Sequence, residues 1–146
     1  MRRPRPGIFS VERLYEDIRE NMPSDVQVDV KVSRFFSQGL WRRLYDAVVA
    51  SWSQGDINHV TGDVHFLSYF LVKRRTVLTI HDCGVLERLS GFKRSVLWFF
   101  WFWLPEKRCA AIVVISTSTK RQLLGHLRCD PEKINVIYCN VSSEFR

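Results

Sequence analysis

Several polar residues that could bind a ligand or carry a proton come directly after apolar runs of this sequence. The clearest pair is His81 and Asp82, which follow the β-branched run 75–80 (R-T-V-L-T-I). An imidazole can donate and accept hydrogen bonds near neutral pH. The alternative is a histidine that only ties down its loop, and Asp82 could orient His81, contact a ligand or cap the loop. Further candidates in comparable positions are Gly62, Asp63, His65, Ser116, Lys120 and Asn140.

These residues can meet only if the apolar runs form one parallel sheet, because ligands of such sheets bind beyond the carboxyl ends of the strands. Period-two or continuous apolar runs rich in β-branched residues indicate strands, and apolar stripes at helical spacing indicate helices. We predict strands at 26–32, 57–61, 75–80, 111–115 and 134–138. We predict helices from Ser10 to before Pro23, at 40–52, 64–72 and 94–107, and after a cap at Ser116, with a loop at 83–93.

The alternation of strands and helices is typical of βαβ units. It predicts an α/β fold, a Rossmann-like parallel sheet with helices on both faces, in one domain over residues 1–146. The valines of 26–32 alternate with polar residues, which suits an edge strand. The continuous apolar run 111–115 suits a strand covered on both faces. A doubly wound domain usually begins with a central strand, so we expect that the first strand is truncated here or that the sheet has an open gap.

The beginning of the first helix supplies three more candidates. Ser10 has the residue type of a helix N-cap, whose side chain accepts a hydrogen bond from a backbone N–H. Capping is therefore its main interpretation, and ligand contact is the alternative. Gly7 precedes it, and Arg13 in the first turn faces either a binding cleft or solvent.

The charge balance favours anionic partners without identifying one. Lys and Arg total 22 against 15 Asp and Glu, which gives a formal charge of +7. Such a surface attracts phosphates, nucleotides or anionic lipid, although a solvated basic face is an equally good interpretation. No basic tract with interleaved aromatic residues points to nucleic acid. Because the four cysteines form no C-x-x-C pair and no secretory signal is visible, we expect reduced thiols in the cytoplasm.

An aromatic segment at 96–104 (V-L-W-F-F-W-F-W-L) has two interpretations. It is far shorter than the roughly 20 residues that span a bilayer. It is either a buried core helix, which is the favoured interpretation, or a helix that makes a peripheral membrane contact through its aromatic residues and the flanking Lys93, Arg94, Lys107 and Arg108.

Two other site types do not fit the residue spacing. His59, Asp63 and His65 lack an established metal-ligand spacing, so we predict no metal site. The seven glycines contain no G-x-G-x-x-G turn, which excludes a dinucleotide-dependent oxidoreductase.

Six segments in series resemble the N-terminal domain of retaining family 4 glycosyltransferases. They are G-I-F-S-V-E-R-L-Y (7–15), D-I-N-H-V-T-G-D-V-H-F-L (56–67), T-V-L-T-I-H-D (76–82), F-W-F-W-L-P (100–105), A-I-V-V-I-S-T-S-T-K (111–120) and P-E-K-I-N-V-I-Y-C-N-V (131–141). The resemblance covers nearly the whole chain and is carried by the order of the segments.

The resemblance implies the acceptor-side half of a GT-B fold. It implies sugar transfer from a nucleotide sugar, used as co-substrate with no other cofactor, to an unknown acceptor. The histidine of the loop at His81 then lies beside the donor sugar, and the loop at Gly7 approaches the donor phosphates or the acceptor. A C-terminal donor-binding domain or subunit, which carries a pair of glutamates in relatives, would be needed for catalysis. The alternative is a non-catalytic binding module or subunit that keeps the half-fold.

Overall fold

A computed structural model describes residues 10–35 and 39–139, apart from the side chain of Ser10. Gly7, Asn140 and the expected truncated first strand therefore lie outside the described residues. The helices are α1 (Ser10–Glu20), α2 (Leu40–Ser51), α3 (Gly84–Glu87), α4 (Gly91–Leu97), α5 (Leu104–Arg108) and α6 (Thr117–His126). The strands are β1 (Asn58–Val60), β2 (Thr76–Ile80), β3 (Ala111–Val114) and β4 (Ile134–Val136). Three 3₁₀ helices span His65–Phe70, Lys73–Arg75 and Pro131–Lys133, and a π-helical stretch (Trp98–Trp103) joins α4 to α5.

The four strands form one parallel sheet in the order β1-β2-β3-β4. Leu78 of β2 pairs with Val60 of β1 and Ile112 of β3, so one row of apolar side chains crosses the sheet. All three connections step in the same direction, and right-handed crossovers then place their helices on one face. The predicted parallel α/β sheet is confirmed.

The two faces of the sheet are covered to different extents. On the crossover face Leu78, Ile80, Ile112 and Val114 are buried in a core that includes Phe66, Phe102 and Leu123. On the other face α1 supplies Tyr15, whose ring lies edge-on to that of His59, with centroids 5.7 Å apart. Ala111 and Val113 point to this second face and stay partly exposed. We expected strand 111–115 to be covered on both faces. It is fully covered on the crossover face and only partly covered on the other.

The predicted strand at 26–32 is wrong for the described structure. This segment has no regular secondary structure and pairs with none of the four strands, and its valines at 26, 28, 30 and 32 are exposed. Alternation shows which face a strand would bury. A strand also needs a neighbour to satisfy its backbone hydrogen bonds, and periodicity carries no information about that neighbour.

Two predicted boundaries also differ from the structure. The helix predicted at 64–72 is a 3₁₀ helix (His65–Phe70) that ends where Leu71 and Val72 adopt extended backbone angles, and the next 3₁₀ helix, Lys73–Arg75, lies beyond the predicted range. The loop predicted at 83–93 contains α3 and the beginning of α4. Hydrophobic periodicity places short elements poorly, because one or two turns give too few residues to define a period.

The long helical segment from Gly91 to Arg108 contains the aromatic residues. Phe102, Pro105 and Glu106 are buried, whereas Phe92, Val96, Phe99 and Phe100 are exposed. The core-helix interpretation therefore applies to one side of this segment. Within residues 10–35 and 39–139, no helix combines the length and the apolar character needed to cross a bilayer.

Pro105 explains an unusual set of contacts at the π-helical stretch. Proline has no N–H, so neither its α-helical partner, the carbonyl of Trp101, nor its π-helical partner, the carbonyl of Phe100, receives a backbone hydrogen bond from it. Side chains of the 3₁₀ helix His65–Phe70 donate instead. His65 Nδ1 lies 2.7 Å from the Trp101 carbonyl, and the Tyr69 hydroxyl lies 2.5 Å from the Phe100 carbonyl.

Candidate functional site

A cavity of about 330 Å³ lies beyond the carboxyl ends of β1 and β2. Ligands of open parallel sheets bind at this edge. Five predicted site residues line it together: Gly62, Asp63, His65, His81 and Asp82. The other lining residues are Arg43, Val85, Leu97, Trp101 and Phe102.

A second depression, of about 380 Å³, lies at the opposite end of the strands. Ala110 and Lys133, which precede β3 and β4, contribute to its lining. Lys133 is already committed to an ion pair, since its Nζ lies 2.8 Å from Glu106 Oε1. We therefore assign the candidate chemistry to the cavity at the carboxyl ends.

His81 is held by two elements. Its carbonyl accepts a hydrogen bond from Thr119 Oγ1 of α6 at 3.3 Å. Its ring lies edge-on to Tyr15 of α1, with centroids 6.3 Å apart. Because β2 ends immediately before it, the half-buried His81 lines the cavity with its backbone fixed.

Asp82 takes the loop-capping role, which was one of its interpretations. Its Oδ1 accepts a hydrogen bond from the backbone N–H of Gly84 at 2.9 Å, as aspartate does at the beginning of a turn or helix. This contact holds the beginning of α3. The exposed carboxylate also lines the cavity, so it contributes negative charge beside His81.

Gly62 and Asp63 form the corresponding end of β1. Gly62 has a φ of +81°, in the left-handed region that favours glycine. This turn carries the chain from the sheet edge into the 3₁₀ helix at His65. The Asp63 carbonyl accepts a hydrogen bond from Trp101 Nε1 at 3.3 Å, which fastens the turn to the aromatic helical segment.

His65 is buried, with a relative exposure of 5%. Its Nδ1 must carry the proton that it donates to the Trp101 carbonyl, because a carbonyl oxygen only accepts. Burial lowers the pKa of His65, and the hydrogen bond to Trp101 opposes part of this shift. A neutral His65 therefore supports the cavity wall.

His59, Asp63 and His65 do not converge on one point. His59 Nε2 lies 2.7 Å from Thr79 Oγ1 on the face covered by α1, whereas His65 bonds to Trp101. Among the residues that the structure describes, no group of three His, Cys, Asp or Glu side chains could hold a metal ion.

The other predicted site residues lie outside the cavity lining. Ser116 caps α6, because its Oγ accepts a hydrogen bond from the backbone N–H of Thr119 at 3.0 Å. Thr119 also donates to His81, so Ser116 supports the site through one intermediate residue. Lys120 Nζ donates to the Ile134 carbonyl at 2.6 Å. Arg13 lies 3.5 Å from Asp17 on the surface of α1, and Ser10 is the first residue of that helix.

Sequence reasoning missed Arg43. Its guanidinium carbon lies 4.5 Å from the centroid of the Trp101 ring, within the range of a cation–π contact. It brings positive charge to a cavity that otherwise has polar groups at the strand ends and an apolar wall of Leu97, Trp101 and Phe102. No local signal distinguishes Arg43 from Arg42, the other basic residue of α2, because the contact joins residues far apart in the chain.

The arrangement suits a ligand with two kinds of surface. Imidazole and carboxylate groups at the strand ends can hydrogen-bond hydroxyl groups, and Arg43 can attract an anionic group. The apolar wall can contact a less polar portion of the same ligand or of a second one.

The family model described as Glycosyltransferase Family 4 matches residues 5–145. Neither a curated protein nor a solved structure matches the chain.

Proposed function

We propose a function on the premise that this chain belongs to glycosyltransferase family 4. The chain is a glycosyltransferase-type domain with the α/β, Rossmann-like fold of one half of a GT-B enzyme. Its proposed role is that of the acceptor-side half, in transfer of a sugar, of hexosyl type, from a nucleotide sugar to an acceptor. The observation that carries the proposal is the cavity in which Gly62, Asp63, His81 and Asp82 meet at the carboxyl ends of β1 and β2.

The residues of this cavity have different proposed roles in glycosyl transfer. Glycosyl transfer proceeds through an oxocarbenium-like state while a diphosphate leaves, so the site must orient the sugar and stabilise charge. His81 is the group proposed to hydrogen-bond the sugar. Its backbone and ring are held by α6 and α1, which limits the reorganisation needed during reaction. Arg43 is proposed to attract the anionic part of a substrate.

The cavity forms one wall of a cleft in this proposal. A donor-binding domain, on the same polypeptide or on a partner subunit, supplies the opposite wall and most of the contacts with the nucleotide sugar. No residue of this sequence is assigned the role of the paired glutamates that relatives carry in that domain.

The first test is His81→Ala, measured in the chain combined with its donor-binding domain. We expect turnover of the nucleotide sugar to fall by about 100-fold, the size of effect typical of losing one well-placed hydrogen-bond donor. The free energy of unfolding, measured by urea denaturation, should change by no more than about 1 kcal/mol, because His81 is only half-buried and Thr119 bonds to its backbone carbonyl, which alanine keeps.

His126→Ala is the matched control. His126 lies in the last turn of α6, and its backbone carbonyl accepts a hydrogen bond from Trp98 Nε1, which alanine keeps. This variant should keep wild-type turnover. A His81→Ala enzyme that loses stability in proportion to turnover would show that His81 is structural, and one with wild-type turnover would remove it from the site.

A further inference from the structure

The helical segment 91–108 presents an apolar stripe to solvent. Phe92, Val96, Phe99 and Phe100 stand at positions i, i+4, i+7 and i+8, so they lie along one side of the segment. All four are exposed, and Phe92 reaches 83%. A stripe of large apolar side chains at helical spacing would normally face a core. Here the buried residues Phe102 and Pro105 face the core instead.

Two of the exposed aromatic rings, Phe99 and Phe100, are already packed on neighbouring rings. Phe99 stacks on Trp103 with centroids 4.9 Å apart and an interplanar angle of 19°, and it lies edge-on to Phe100 at 5.0 Å. Rings held in this way lose little side-chain freedom when a partner covers them. The part of the stripe at Phe99 and Phe100 is therefore already ordered before a partner binds.

The exposed charges on the same segment have one sign. Lys93, Arg94 and Lys107 are exposed. The segment has one acidic residue, Glu106, which is buried at 4% exposure and contacts Lys133 and Lys107 through its carboxylate oxygens. The exposed residues of the segment thus combine aromatic rings with cations and include no carboxylate, which complements a surface of negative charge over an apolar interior.

We propose that the segment 91–108 docks on an anionic lipid bilayer, with Phe92, Val96, Phe99 and Phe100 inserted between headgroups and Lys93 and Arg94 beside lipid phosphates. Amphipathic helices with a cationic polar face lie in the interface in this way without crossing it. The buried side of the same segment lines the cavity of His81 through Leu97, Trp101 and Phe102. Docking would bring that cavity next to the membrane, and a lipid-linked acceptor follows if the proposed function holds.

The test measures binding of the full chain to sedimented vesicles. Vesicles of phosphatidylcholine with about one-third phosphatidylglycerol are compared with vesicles of phosphatidylcholine alone, without nucleotide sugar. We expect at least tenfold stronger binding to the anionic vesicles, and weaker binding in high salt because salt screens the lysine and arginine charges. The double variant Phe92→Ser/Phe99→Ser should reduce binding at least tenfold.

Trp52→Ser is the control, because Trp52 is 80% exposed at the C-terminal end of α2 and outside the segment. It should bind like wild type, and near-UV circular dichroism should show that all variants keep the fold. Equal binding to both vesicle types, equal loss in the control, or no binding would overturn the proposal. Lipid-independent self-association that Phe92→Ser/Phe99→Ser abolishes would assign the stripe to a protein partner instead. Since no sugar transfer is measured, failure here leaves the proposed function untouched.

Discussion

Pro105 shows how one residue shapes the candidate site. Its missing N–H cannot serve the carbonyl of Trp101 or that of Phe100, and His65 and Tyr69 donate to these two carbonyls from the 3₁₀ helix. These bonds fix the wall formed by Trp101 and Phe102 relative to the end of β1. Burial raises the pKa of Tyr69 to about 12, so its hydroxyl stays protonated and keeps donating in the neutral range.

At this scale we predict a pH dependence of stability that comes from His65. Its pKa in the folded chain is lowered by burial, whereas in the unfolded chain it is near 6.5. As pH falls through 6.5 towards the folded pKa, the unfolded state takes up a proton that the folded state does not. Stability contributed by a neutral His65 is therefore present above pH 6.5 and lost below it, by about 1 kcal/mol between pH 7.5 and 5.5.

His65→Asn tests this prediction, because the asparagine amide nitrogen can replace Nδ1 as the donor to Trp101 and does not titrate. Urea denaturation at pH 7.5 and 5.5 gives the difference in unfolding free energy for each protein. The variant should show a difference smaller by about 1 kcal/mol. An unchanged difference would mean that His65 does not titrate as its burial indicates.

At the scale of elements, a buried ion pair joins the aromatic helical segment to the chain before β4. Lys133 contacts both the carbonyl and the Oε1 of Glu106, and Lys107 lies 2.9 Å from Oε2. Burial alone would raise the pKa of Glu106, but hydrogen bonds from Lys133 and Lys107 lower it overall. The carboxylate therefore stays charged inside the protein and depends on its partners.

We predict that Lys133→Met destabilises the fold by about 3 kcal/mol, because it removes the largely buried partner of a buried charge. The side chains of Lys133 and Glu106 are 13% and 5% exposed. Lys107→Met removes a lysine whose side chain is 44% exposed, so it should cost no more than about 1 kcal/mol. Thermal or urea unfolding of both variants measures the contrast, and equal effects would show that the pair is not what anchors α5.

At the scale of the whole molecule, the cavity is open to solvent and forms only one side of the proposed cleft. It gathers hydrogen-bonding groups and Arg43 at the sheet edge, but a reaction that releases a diphosphate needs both substrates oriented and shielded from water. The cavity of about 330 Å³ is comparable with the low end of small-ligand sites and is too small to enclose a nucleotide sugar together with an acceptor.

We therefore expect the 146-residue chain alone to give no transfer and no nucleotide release. Radiolabelled UDP-, GDP- and ADP-hexoses are suitable probes, with nucleotide release read by chromatography. Addition of the donor-binding domain should raise release above background. Turnover by the chain alone would contradict the need for a second wall, and failure to bind any of these sugars even with that domain would favour a non-catalytic binding module.

The sequence alone determined the features that depend on neighbouring residues. The apolar runs at β2 and β3 specify buried strands, and a strand that ends at Ile80 places His81 at the sheet edge. Ser116 caps α6 as its residue type and position predict. Each of these features is encoded within a few residues, so local patterns were enough to find them.

Only the tertiary structure decided which distant residues meet. The valines of 26–32 have the pattern of a strand, yet none of the described strands pairs with them. The contact of His65 with Trp101 joins residues 36 positions apart, and Arg43 reaches the cavity through the same tryptophan. The structure also shows that the aromatic segment has a buried side, with Phe102, and an exposed side, with Phe92. A sequence pattern states what a side chain prefers, whereas its neighbours depend on packing between elements that are remote in the chain.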